Sequence, residues 1–228
     1  MAKKRKIKKE IVKKGVQKER TEEPVSKEKQ AKEQNKLLRN MLIGIGILMA
    51  GVFLFVIVSN SLSRFEYQGI KFEIVRFCDA GPPCLVTYRT SIPVMVNGTQ
   101  VPFNFYLRSD PRESNVNFTG DLIFRKNMVL NGKAPFICEG KGAIAAANLI
   151  QLYNVLGTKV IKDENASCDL LGRYIFVQVK QGNQTLVKQV SPGCYDIYIK
   201  DCEILDGTEK FMIETFVKVN EGLKNQSN

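Results

Sequence analysis

The 228-residue chain contains no histidine and no tryptophan, and it has no cysteine before Cys78. Without histidine there is no Ser-His or Cys-His nucleophilic catalysis and no imidazole general base. The mixed Cys/His ligand sets of zinc sites are excluded for the same reason. No C-x-x-C pair occurs, which removes the thioredoxin-type redox signature. The phosphate-binding pattern G-x-x-x-x-G-K-[ST] is missing too. Charge is absent from one stretch in particular: residues 41–58, MLIGIGILMAGVFLFVIV, carry no charged and no polar side chain.

That stretch organises the rest. As a helix it spans about 27 Å, close to the hydrocarbon thickness of a bilayer. A core helix of a soluble domain is rarely apolar on every face for this length. A cleavable signal peptide is the other competitor, because Ser59 and Ser61 put small residues where a signal peptidase looks. Forty residues precede the run, and it exceeds the usual apolar region of a signal peptide, so the expectation is an uncleaved single-pass anchor. Gly44, Gly46 and Gly51 form no G-x-x-x-G pair, and no dimer seam is read from them.

What is present in excess is positive charge on one side of this run. Residues 1–40 hold fifteen Lys and Arg against six Glu, or +9 of a whole-chain net charge of +11. Lys27, Lys29, Lys32, Lys36 and Arg39 crowd the N-terminal side, and Arg64 is the nearest cation on the other. By the positive-inside rule residues 1–40 form a basic cytoplasmic tail, and the C-terminal domain is extracytoplasmic at the cell membrane. The cations suit anionic lipid headgroups. A docking arm for RNA, DNA or the ribosome is the sharper alternative. No aromatic side chain interleaves the basic block for base stacking, and nucleic acid is disfavoured as a partner. Ser26 can cap a helix, and Glu28 and Lys32 stand four residues apart, so the tail is expected to enter the membrane as a helix.

All six cysteines, Cys78, Cys84, Cys138, Cys168, Cys194 and Cys202, follow the apolar run. An even number confined to one side of an anchor is the pattern of a disulfide framework in an exported domain. Five N-x-S/T sequons, at Asn97, Asn117, Asn165, Asn183 and Asn225, also all follow it and are glycosylation candidates.

Within this domain, period-2 alternation marks strands at 70–75, 86–92 and 101–107, with Asn97-Gly98 as a hairpin turn. Cys78 and Cys84 bracket a Gly-Pro-Pro loop that they can staple. A polar loop is expected over 109–120, a strand over 122–130, and a tight turn at Asn131-Gly132. Residues 142–156 form the main soluble helix, with Ala145, Leu149, Leu152 and Leu156 on one stripe and Gly157 as its stop. A short strand at 158–161 follows, then a meander of strands at 173–180, 185–190 and 195–200. Residues 211–219 are read as a strand by their β-branching. In a meander the third strand runs parallel to the first, which brings Cys168 and Cys194 to the same end. Cys168–Cys194 is the expected bridge, and Cys138–Cys202 follows by elimination.

The fold class expected is therefore α+β: one N-terminal transmembrane helix, then a β-rich, disulfide-stabilised extracytoplasmic domain with one main helix. Its parts are a hairpin-rich segment, 61–137, a helix-plus-meander segment, 138–220, and a disordered C-terminus, 221–228. No cofactor and no metal site are read. The function expected is binding or structural support by an anchored domain that meets another membrane or envelope protein, and not catalysis. The alternatives are an extracytoplasmic hydrolase using acidic pairs, Asp163/Glu164 or Asp201/Glu203, and a tether between a cytoplasmic partner and the envelope. Two further features are weighed: anion binding at Gly140-Lys141-Gly142 before the helix, and a binding face made of Tyr88, Tyr106, Tyr195 and Tyr198.

Overall fold

The structure, a computed structural model, describes residues 27–79, 81–132 and 138–226. The chain divides into two compact units, residues 1–56 and 57–228. The described part of the first unit is a single helix, α1 (Lys27–Leu62), whose last residues belong to the second unit. Within its segment Lys32–Ser59 the most apolar 18-residue window has mean hydropathy 2.9 and none of that window is buried, so the helix is long and apolar enough to cross a membrane. The helix includes the backbone of Lys27 and Lys29, and Lys32, Lys36 and Arg39 lie exposed along it. Ser26 and the basic block before it lie outside the described residues.

The second unit is α+β with two sheets. The first is an antiparallel meander in the order β1 (Arg64–Tyr67), β2 (Ile70–Phe77), β3 (Leu85–Val96), β4 (Thr99–Leu107). Asn97 and Gly98 join β3 to β4 with φ of 51° and 78°, the left-handed pair that a two-residue hairpin loop requires. The second sheet has six strands in the order β5-β9-β10-β8-β6-β7. Its members are β5 (Asn117–Thr119), β6 (Asn127–Gly132), β7 (Lys159–Lys162), β8 (Ile175–Gln181), β9 (Leu186–Ser191) and β10 (Cys194–Ile199). Parallel β6 and β7 are joined through α2 (Lys141–Val155), since parallel neighbours need a crossover. After β10 the chain closes with α3 (Ile204–Gln226).

One apolar cluster unites both sheets. Met128, Leu130, Ile175, Val177, Tyr195 and Ile197 point from the six-stranded sheet toward the helices, and Phe72, Phe105 and Leu107 come from the four-stranded one. Helix α3 lies at the junction: Phe211 packs on Tyr195 at 5.3 Å between ring centroids, and Phe216 on Phe105 at 5.4 Å. Helix α2 buries Ala145, Leu149 and Leu152, three of the four stripe positions, and adds Tyr153, whose hydroxyl meets Thr215 Oγ1 at 3.1 Å.

Several sequence expectations are corrected. Residues 211–219 are helical, inside α3, so this unit carries a second helix besides α2. Burial on several sides of α3, between two sheets, replaces the single stripe that marks a surface helix. Helix α3 also runs on through residues 221–226, which were expected to be disordered; 227 and 228 lie outside the described residues. The three-strand meander is reordered: β10 lies between β9 and β8, parallel to β8 and antiparallel to β9. Residues 121–126 form no strand, and β6 begins only at Asn127. Asn131 and Gly132 stay in β6, because pairing with β8 continues through them and the Asn131 amide donates to the carbonyls of Glu164 and Ala166. The loop 109–120 contains β5. A division at 137/138 cuts through the six-stranded sheet, since β5 and β6 precede it; the two sheets separate between Leu107 and Asn117.

Candidate binding surface

Three disulfides join Cys78 to Cys84, Cys138 to Cys202 and Cys168 to Cys194. Cys168–Cys194 is the pair that the parallel direction of β8 and β10 implies, although the strand order behind the argument differs; Cys138–Cys202 is the pair left by elimination, and Cys78–Cys84 staples the loop it brackets. All five sequon asparagines are exposed: Asn97 at the β3–β4 turn, Asn117 on β5, Asn165 after β7, Asn183 between β8 and β9, and Asn225 on α3. Each position leaves room for a glycan without disturbing the core.

The two helices of this unit cover one face of the six-stranded sheet. The register places a polar row across its other face: Asn131, Gln178, Asp196, Lys188 and Thr119. A second row sets Lys180, Tyr198, Leu186 and Asn117 beside it. Asp196 is buried, 4 % exposed, and its carboxylate accepts from Lys180 Nζ at 2.7 Å and from the Tyr198 hydroxyl at 3.2 Å. Lys180 also stands 5.9 Å from the Tyr198 ring centroid. Burying a carboxylate is costly unless it is paired and hydrogen-bonded, and here both conditions are met. The pairing fixes Lys180 and Tyr198 and leaves Lys188 as a cation on the adjacent strand. Three sequons rim this face: Asn117 on it, Asn183 in the turn beyond Lys180, and Asn165 in the loop that caps Asn131.

A mostly parallel sheet is ordinarily covered on both faces. Here the cover is partial: Asn131, Phe176 and Cys194 are buried beneath the segment whose Ala166 and Asp169 carbonyls bond Asn131 and Cys194, while the part around Lys180, Tyr198 and Lys188, flanked by apolar Leu186 and Val190, stays open and offers hydrogen bonds and contact area together.

Other candidates are placed differently. A cavity of about 600 Å³ on the outer face of the four-stranded sheet is lined by Arg64, Glu66, Lys71, Glu73 and Arg89. There Glu73 pairs with both arginines, the ordinary chemistry of a solvated antiparallel face. The four tyrosines do not converge. Tyr195 is buried in the core, Tyr88 faces Phe65, and Tyr106 packs on Phe77 on the outer face of the four-stranded sheet, leaving Tyr198 alone on the open face.

Asp163 and Glu164 lie in an exposed loop, and Asp201 and Glu203 in a turn rather than on one strand face. Glu203 accepts from Thr185 Oγ1 at 2.5 Å. Gly140 caps α2 with φ 83° and no side-chain hydrogen bond. Among the described residues no group of three His, Cys, Asp or Glu could hold a metal ion.

Another buried carboxylate that composition could not reveal is Glu209, on α3. Its two oxygens accept from the backbone N–H of Arg108 at 2.7 Å and of Ser109 at 2.9 Å, while Asp206 takes the Ser109 hydroxyl at 2.5 Å. Burial pushes the Glu209 carboxyl up to about 7 against the pull of these donors. It clamps the end of β4 to α3 and so joins the two sheets.

Comparison with protein-family models, with curated proteins and with solved structures finds no match to this chain.

Proposed function

We propose that the chain is a single-pass membrane protein, N-terminus in the cytoplasm, whose exported domain binds a partner through the open face of its six-stranded sheet. The observation that carries this reading is the fixed Asp196–Lys180–Tyr198 cluster on a sheet face that neither helix of the domain covers. The apolar helix supports the anchor, the cations before it support the orientation, and three disulfides with five exposed sequons suit an oxidising compartment. The role is binding or structural, with no reaction assigned.

The test is photo-crosslinking in intact membranes from a benzophenone side chain at position 188. A discrete adduct at 188, lost when Lys180→Glu and Tyr198→Ala are introduced together, is the expected result. An adduct indifferent to those substitutions, or none at 188 alongside one from position 100 on the outer hairpin, sinks the reading.

A further inference from the structure

Four strands of the second sheet, β6, β7, β8 and β10, run parallel, so their first residues lie along one edge. The segments entering them, 120–126, 156–158, 167–174 and 191–193, converge there. This edge has two features that neither the fold nor the open sheet face accounts for.

The first is a pair of leucines displayed in water. Leu170 and Leu171 are 75 % and 78 % exposed, more than any other large apolar side chain among the described residues outside α1. They are held there by a set of bonds. The Asp169 carbonyl accepts from Gly172 N–H at 2.8 Å, and its carboxylate accepts from the N–H of Leu171 and of Arg173. Arg173 Nε donates to the same carboxylate at 2.9 Å and keeps the Asp169 carboxyl below the usual carboxylate range. From outside the turn, Arg125 Nε donates to the Gly172 carbonyl at 2.7 Å, and the Cys168–Cys194 bridge ties its base to β10. A turn this firmly bonded projects its leucines by construction and not by slackness.

The second feature is the surroundings. Phe124, Leu156 and Val219 floor a shallow cavity of about 450 Å³, walled by Arg125 and Lys126. Lys159 opens β7 beside them. Five cations, Arg125, Lys126, Lys159, Arg173 and Lys218, meet two carboxylates, Asp121 and Asp169, both of which are already paired. Lys126 and Lys159 have no ion pair among the described residues. Asp163, Glu164, Asp201 and Glu203 lie at the opposite edge of the same sheet.

We propose that this edge is a bilayer-docking surface, which inserts Leu170 and Leu171 into the interface of an anionic lipid membrane and sets Arg125, Lys126 and Lys159 against its phosphates. Apolar side chains ringed by cations are the composition of interfacial insertion. Only Ser63 separates α1 from β1, so a bilayer that holds the helix keeps the domain at its surface, and the tether supplies a high effective concentration. The inference rests on the anchored reading above.

The experiment uses the full chain reconstituted in vesicles. The protein has no tryptophan, so Leu171→Trp introduces one reporter at an exposed position. In vesicles of anionic lipid carrying bromines on the acyl chains, Trp emission is expected to shift to the blue and be quenched. In zwitterionic vesicles the quenching is expected to be lost, and Lys126→Gln with Lys159→Gln should lower it in anionic ones. Gln184→Trp, at the opposite edge, should stay water-like throughout.

Water-like emission from position 171 overturns the proposal. So does a blue shift without bromine quenching, which would point to a protein partner, and so does equal quenching in both lipids. Alkaline carbonate extraction of the same vesicles keeps the two readings apart. Release of the chain sinks the anchor, and absence of quenching in a chain that stays bound sinks the docking.

Discussion

Glu209 is the residue at which sequence, packing and pH response meet. It is 2 % exposed and bonded to two backbone amides just past the end of β4, yet its carboxyl is held near 7 by burial, with Asp206 nearby adding repulsion. In the unfolded chain it returns to the ordinary value near 4.5. Between these values the folded state keeps a proton that the unfolded state has lost, so stability falls as pH rises through this window and levels off above about 7. The full span is on the order of 3 kcal/mol. With no histidine in the chain, no side chain titrates near neutrality at its ordinary pKa. Urea unfolding of the protein is expected to show a lower midpoint at pH 8 than at pH 5. Glu209→Gln should flatten that difference, and an unchanged slope in the variant would assign the effect elsewhere. Gly120 offers a second test at this scale. Its φ is 127°, and an added Cβ would lie 2.3 Å from Gln189 Cβ, so Gly120→Ala is expected to destabilise by about 2 kcal/mol or more, read as a lower melting temperature.

Among the elements, α3 is where packing overrides pattern. Residues 207–213 are all buried, because the helix is contacted from both sheets and from α2. A helix enclosed in this way loses its polar stripe, and what remains legible in Ile213, Thr215, Val217 and Val219 is β-branching. Gly207 lets it approach: a Cβ there would come within 2.6 Å of Ile199 and 3.0 Å of Ile197. Gly207→Val should therefore cost about 1–3 kcal/mol in denaturant unfolding, whereas Gly222→Val, with open space around it, should cost less.

The elements that sequence does disclose are the local ones. Asn97-Gly98 sets its hairpin by backbone chemistry at two residues, and the stripe of α2 with Gly157 behind it marks a helix and its end. Strand order is not local. The chain makes β8 and β9 before β10 arrives to separate them, and no alternation of side chains records that insertion. The same limit hides the open sheet face, whose polar row draws one residue from each of five strands.

At the scale of the whole molecule, the bridges differ in what they close. Cys138–Cys202 spans 64 residues and joins the approach to α2 to the approach to α3, Cys168–Cys194 spans 26, and Cys78–Cys84 only 6. Loop-closure entropy gives about 4, 3.5 and 2 kcal/mol respectively. Paired Cys→Ala replacements are thus expected to lower unfolding free energy in that order, and a Cys78/Cys84 variant as damaged as the Cys138/Cys202 one would contradict it.

The junction after α1 has a mechanical consequence. Force applied through α1 loads the chain at Arg64, which is the open end of the β1–β2 hairpin, four residues from its turn at Gln68 and Gly69. Antiparallel rungs loaded from the open end break one after another and do not share the force. Residues 63–69 would peel away first, drawing Phe65 off Phe72 and Tyr88, and yield about 25 Å of slack before tension reached β2. The short first strand would then act as a fuse between the apolar helix and the strands behind it.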